Sequence, residues 1–170
     1  MQISDVLTDA FERIRDNVHR AAEGLGAADL AFRPDAHANS IAWLIWHLTR
    51  IQDDHVAELA GRRQAWQDGP WAGQLGLPAD PTDTGYGHSS EQVAAVRPSG
   101  AGPLLGYHDA VTATTVEYLQ NVNADELDRV IDRSYDPPVT VGVRLVSVIN
   151  DNLQHVGQAR YVRGMAERLR

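Results

Sequence analysis

The chain has 170 residues, 43% of them hydrophobic, and its composition does not change along its length, which predicts one domain over residues 1–170 with a full core. Its 15 basic and 23 acidic side chains leave a formal charge of -8 with the arginines scattered, so a phosphate backbone would be repelled and nucleic acid is not an expected partner. The absence of cysteine excludes disulfides, thiolate metal ligands and a cysteine nucleophile; any metal must be held by His, Asp or Glu, and any thiol chemistry must use a thiol from outside.

Asp5, Asp9 and Glu12 close behind Met1 do not suit a signal peptide, and no apolar run approaches the ~18 residues of a membrane span, so the expectation is a cytoplasmic protein without a membrane partner. In chain order, Val6, Leu7, Phe11, Ile14, Val18 and Ala22 share one face and predict a first helix over residues 4–24, with Ser4 as cap and Gly24 or Gly26 as stop. His19 lies off that stripe and is expected in solvent. Residues 29–38, with Arg33-Pro34-Asp35, read as a connection.

A second helix is expected from Asn39 or Ser40 to Gly61. Its first half, Ile41-Ala42-Trp43-Leu44-Ile45-Trp46-His47-Leu48, is apolar nearly all round, which puts His47 inside. His55 lies about 12 Å further along the axis, too far to share an ion with His47. Residues 61–103 lose the helical period except for a short helix over 90–97 capped by Ser89 or Ser90. Trp66, Trp71 and Tyr86 make this stretch either a packed structural loop or a substrate lid. A third long helix is expected over 103–121, with Pro103 at its first position and His108 facing inward. Asn123 and Glu126 suggest a capping box for a short helix to about Val130. After Asp136-Pro137-Pro138, Thr140 caps a last helix to the C-terminus; the β-branched run 139–143 is too brief to predict a strand.

Asp151 and His155 are four apart on that last helix, hence one above the other, within a stripe of Leu145, Val148, Ile149, Val156, Ala159 and Val162. A carboxylate and an imidazole on an inward face need each other or a metal. Four amphipathic helices with one long connection predict an all-α four-helix bundle, whose core is a common place for metal sites built from facing helices.

The runs Asn39-Ser40-Ile41-Ala42-Trp43-Leu44-Ile45-Trp46-His47-Leu48-Thr49-Arg50, Thr84-Gly85-Tyr86-Gly87-His88 and Leu153-Gln154-His155-Val156-Gly157-Gln158-Ala159 resemble the DinB-like superfamily. More narrowly they resemble its mycothiol-dependent S-transferase branch, also called the domain of unknown function 664. The resemblance implies a bundle with a long loop between helices two and three. It also implies a divalent metal, in the first place Zn2+, with Ni2+ or Fe2+ as other options, held by His47, Asp151 and His155. Many members of the superfamily have His where this chain has Asp151. The implied activity is a detoxifying thiol transfer in which mycothiol or a similar small thiol attacks an electrophile. A metal-dependent hydrolase and a non-catalytic metal-binding bundle are the alternatives, and a homodimer is left open.

Three protein ligands on Zn2+ leave the fourth tetrahedral position free, as catalytic sites do. Two His and one Asp give a formal +1 centre, a weaker Lewis acid than three His. Such a centre favours a thiol, with a pKa of about 8.5, over water at about 15.7. His47 is expected to give its other ring nitrogen to Asp54 or to a backbone carbonyl.

Overall fold

The computed structural model describes residues 2–169. Four long helices form the body: α1 (Ile3–Ala22), α3 (Ile41–Ala60), α7 (Gly102–Leu119) and α9 (Val141–Arg168). The short helices α2 (Ala27–Leu30), α4 (Ala65–Asp68), α5 (Trp71–Leu75), α6 (Ser90–Ala95) and α8 (Ala124–Asp128) lie in the connections. The protein is all-α apart from one antiparallel pair, β1 (Val130–Asp132) with β2 (Val139–Thr140), in which Val130 faces Thr140 and Asp132 faces Val139.

That pair departs from the sequence expectation. The run at 139–143 is short, but Val130 to Asp132 lies across the proline turn to pair with its first two residues, and Thr140 then doubles as the cap of α9. For the same reason α8 stops at Asp128, short of Val130. Asn123 Oδ1 accepts from Glu126 N as expected, but the returning half of a capping box is missing because the Glu126 carboxylate takes Tyr118 Oη (2.9 Å) and Arg129 instead. Helix α1 begins before Ser4, since Asp5 accepts from the Gln2 backbone at 2.7 Å and supplies the cap interaction. The long connection holds α4 and α5 as well as the expected α6, which ends at Ala95, before Pro98.

The helix limits that matter for the site follow local chemistry. Ser40 Oγ accepts from Trp43 N at 3.1 Å to start α3, and Gly61 ends it in the left-handed conformation at φ 63°. From Ile41 to Arg50 every residue of α3 is buried, so this helix runs through the middle of the molecule. It packs most extensively on α9. The pairs His47 with His155, Gln52 with Asn152 and His55 with Arg144 fall in reverse order along the two helices, so α3 and α9 are antiparallel. Phe11, Ile14 and Val18 of α1, Leu104 and Val111 of α7, and Leu145, Val148 and Ala159 of α9 complete an apolar core.

A polar chain crosses that core. Asn152 Nδ2 donates to Gln52 Oε1 (2.7 Å), and Gln52 Nε2 donates to Thr115 Oγ1 (2.9 Å), linking α9, α3 and α7. His108 is fully buried beside Thr49 Oγ1 at 3.0 Å. His19, expected in solvent, is half-buried, its Nε2 2.9 Å from Asp109 Oδ1, which also pairs with Arg15. No helix among the described residues is long and apolar enough to cross a membrane.

Candidate metal centre

His47 comes from the buried half of α3, and Asp151 and His155 come from one face of α9. The antiparallel packing brings the three together. One ligand atom of each lies within 4.8 Å of the others, and no other such group of His, Asp and Glu occurs among the described residues. The His47 and His155 rings meet edge to face with centroids 4.7 Å apart.

Each imidazole has one nitrogen already committed. His47 Nδ1 lies 2.5 Å from the Thr84 carbonyl oxygen, and His155 Nδ1 lies 2.9 Å from the backbone carbonyl of Asp151. A carbonyl only accepts, so both Nδ1 atoms carry a proton, and Nε2 is the ring atom each histidine has left for a ligand. Of the acceptors considered for His47, the backbone carbonyl is the one found; Asp54 instead accepts from Gln64 Nε2 at 2.8 Å.

Burial pushes the His47 pKa down, against the opposing effect of the Thr84 hydrogen bond, and His155 nearby lowers it further, so this ring is neutral. Burial also acts to lower His155, but the Asp151 side chain and backbone carbonyl outweigh it and the net shift is upward. Asp151 Oδ2 is buried without a hydrogen bond, although His155 Nδ1 lies 3.4 Å away. A carboxylate oxygen taken out of water without a donor is costly unless a cation completes it. The Nε2 of neutral His47, the Nε2 of His155, which would give up any proton on ligating a cation, and the Asp151 oxygen without a hydrogen bond therefore fit a divalent ion.

The loop over residues 80–88 closes one side of this cluster. Gly85, at φ 87°, lies so close that a Cβ there would stand 2.8 Å from Trp46 Cζ3 and 3.0 Å from His47 Nδ1. Only glycine combines that backbone angle with that proximity. The loop is held down by Arg50, fully buried, which donates from Nε to the Asp83 carbonyl (3.0 Å) and from Nη2 to the Pro81 carbonyl (2.8 Å) and Gln64 Oε1 (2.9 Å). Arg50 Nη1 reaches Tyr107 Oη at 3.0 Å, and its guanidinium lies 5.1 Å from the Trp66 ring centroid. These bonds make the segment a fixed wall of the site, which favours the packed loop over the lid. Arg50, Asp83 and Thr84 were not singled out by sequence reasoning; a charged residue one turn past His47 in an apolar run was the available signal.

Residues 10–159 match the model of the DinB superfamily. The chain belongs to that superfamily. A structural neighbour of this DinB chain is the crystal structure of a conserved protein from Enterococcus faecalis, with 30% identity over 96% of both chains and a TM-score of 0.88. Its description names no activity. No protein of curated function matches the sequence. Within the DinB fold, His47, Asp151 and His155 occupy one inward cluster, His108 is part of the core, and His55 accepts from Arg144 Nη1 at 2.8 Å away from the cluster.

Proposed function

We propose that this DinB protein is a divalent-metal-dependent thiol S-transferase, with His47, Asp151 and His155 holding Zn2+ and mycothiol or a similar small thiol as the nucleophile. The observation that carries the reading is the buried Asp151 Oδ2 left without a donor beside two imidazoles whose Nδ1 atoms are both spoken for. His47, Asp151 and His155 would hold the ion, which when bound would lower the pKa of a thiol brought to it.

The chain's own residues set the rest. The Thr84 and Asp151 carbonyls fix both imidazole tautomers before any ligand arrives. Trp43, stacked on His47 at 4.6 Å, and Gly85 shut water out on one side. A cavity of about 390 Å3 begins about one turn further along both helices, at Leu44 and Gln158, and continues past Gly157 to Tyr161; its mainly apolar wall suits the body of an electrophile. With no cysteine in the chain, the nucleophilic sulfur has to be brought by the thiol substrate.

The test is loss of an electrophilic bimane by zinc-loaded protein, with and without mycothiol. Turnover only with the thiol is the expected result. Turnover without it identifies a hydrolase, and no turnover despite stoichiometric zinc identifies a non-catalytic metal binder.

A further inference from the structure

We propose that Asp83 is a positioning residue for the metal centre, one of its carboxylate oxygens fixing His47 from two directions at once. The inference rests on the metal-centre reading. Asp83 touches none of the three ligands, and its side chain is partly exposed.

The first arm runs through a peptide unit. Asp83 Oδ1 accepts from Gly85 N at 3.0 Å, and the carbonyl on the other side of that same peptide plane is Thr84 C=O, the acceptor for His47 Nδ1. A peptide is planar with its N–H and C=O opposed, so holding the N–H aims the carbonyl. The second arm runs through His88. Its Nε2 lies 2.9 Å from Asp83 Oδ1, and its Nδ1 lies 3.1 Å from Trp43 Nε1. An indole nitrogen only donates, so His88 Nδ1 is the acceptor, Nε2 carries the proton, and Asp83 receives it. Trp43, oriented by that bond, lies flat on the His47 ring, centroids 4.6 Å apart and planes 10° from parallel.

Both arms start at Asp83 Oδ1 and end on His47, one at the ring edge and one at its face. His88 has no nitrogen left for a metal, and its ring stacks on Trp46 at 5.5 Å, so its place is in the support of the site. Asp83 is itself anchored through its backbone carbonyl by Arg50, an anchor that side-chain substitution leaves in place.

The experiment compares Asp83→Ala, Asp83→Asn and His88→Phe with wild type by two readouts. The first is the 15N shifts of the His47 ring in metal-free protein; the second is Co2+ affinity by chelator competition. Asp83→Ala should move the His47 shifts from a single Nδ1–H tautomer toward an averaged pair and weaken Co2+ binding about 10- to 100-fold, the range for outer supports of metal ligands. Asp83→Asn, which keeps an acceptor oxygen, should recover part of both, and His88→Phe, which cuts one arm, should fall between. Unchanged His47 shifts and Co2+ affinity within about twofold in Asp83→Ala would overturn the proposal. Should Asp83→Ala fail to fold, equal and wild-type-like values in the other two variants overturn it instead. If wild type binds no Co2+, the metal reading fails, while the His47 shifts in metal-free protein still decide whether Asp83 sets the ring.

Discussion

His47 Nδ1 and the Thr84 carbonyl oxygen are 2.5 Å apart, a bond that joins the buried middle of α3 to a loop 37 residues later in the chain. It gives that loop a function beyond connection. The same contact selects the His47 tautomer and places Gly85 against the ring, so the orientation of this imidazole and the loop conformation are coupled.

Removing Asp151 should separate metal binding from folding. Asp151→Ala deletes a buried oxygen that has no hydrogen bond and whose one side-chain neighbour is His155 at 3.4 Å, so the metal-free variant is expected to lose no more than the ~1 kcal/mol of a partly exposed ion pair. Its Zn2+ affinity should fall by more than the ~10- to 100-fold seen when outer supports are lost. Calorimetric titration and thermal unfolding with and without chelator measure both. Chelation alone should leave wild type folded, because the apolar core is built without the ion.

Two glycines in one turn should respond differently to alanine. Gly87, at φ 76°, has nothing within 4 Å of a built Cβ, so Gly87→Ala carries only the left-handed backbone penalty of about 1–2 kcal/mol. Gly85→Ala adds the collision with Trp46 and His47 and should cost about 1–3 kcal/mol more. Urea denaturation of both variants gives the difference, and equal costs would show that the loop yields freely.

Arg50→Leu should be among the most damaging single changes. It removes a fully buried cation from beside Asp53 at 3.5 Å, leaves the Asp83 carbonyl without its side-chain donor, and leaves the Pro81 carbonyl with Gln64 Nε2 alone at 3.2 Å. Breaking a buried charge network in this way costs on the order of 3–5 kcal/mol. Equilibrium unfolding measures it, and a loss below about 1 kcal/mol, the scale of an exposed ion pair, would contradict the clamp.

Acid should destabilise the fold through His108. Burial lowers its pKa from 6.5 to about 4. Between these values the unfolded chain binds the proton and the folded chain does not, so stability is fully present above about pH 6.5 and is lost as pH falls toward 4. The loss attributable to this residue is about 3 kcal/mol. Urea unfolding of wild type and His108→Gln at steps from pH 7 to pH 4 should show a shallower decline in the variant; parallel curves would assign the acid loss to other groups.

Sequence periodicity alone determined the long helices of this protein and its inward-facing His47, because an apolar stripe with a Ser40 cap and a Gly61 stop leaves a helix little choice. The spacing of Asp151 and His155 likewise placed them on one face whatever the partner. Tertiary structure decided that α3 and α9 run antiparallel at a register bringing His47 to that pair, since register depends on how two side-chain surfaces interdigitate and not on either helix by itself. It also decided the support of the site. Thr84 acts through its backbone carbonyl, which every residue carries, and Arg50 and His88 act on partners 31 to 45 residues distant; Asp83 bonds Gly85 and His88 close by, but the rings those bonds orient, His47 and Trp43, lie on α3, so beyond marking Arg50 as a charge in an apolar run the local pattern does not reveal these roles. The strand pair escaped for the same reason: Val139 and Thr140 extend only because Val130 to Asp132 is there to meet them.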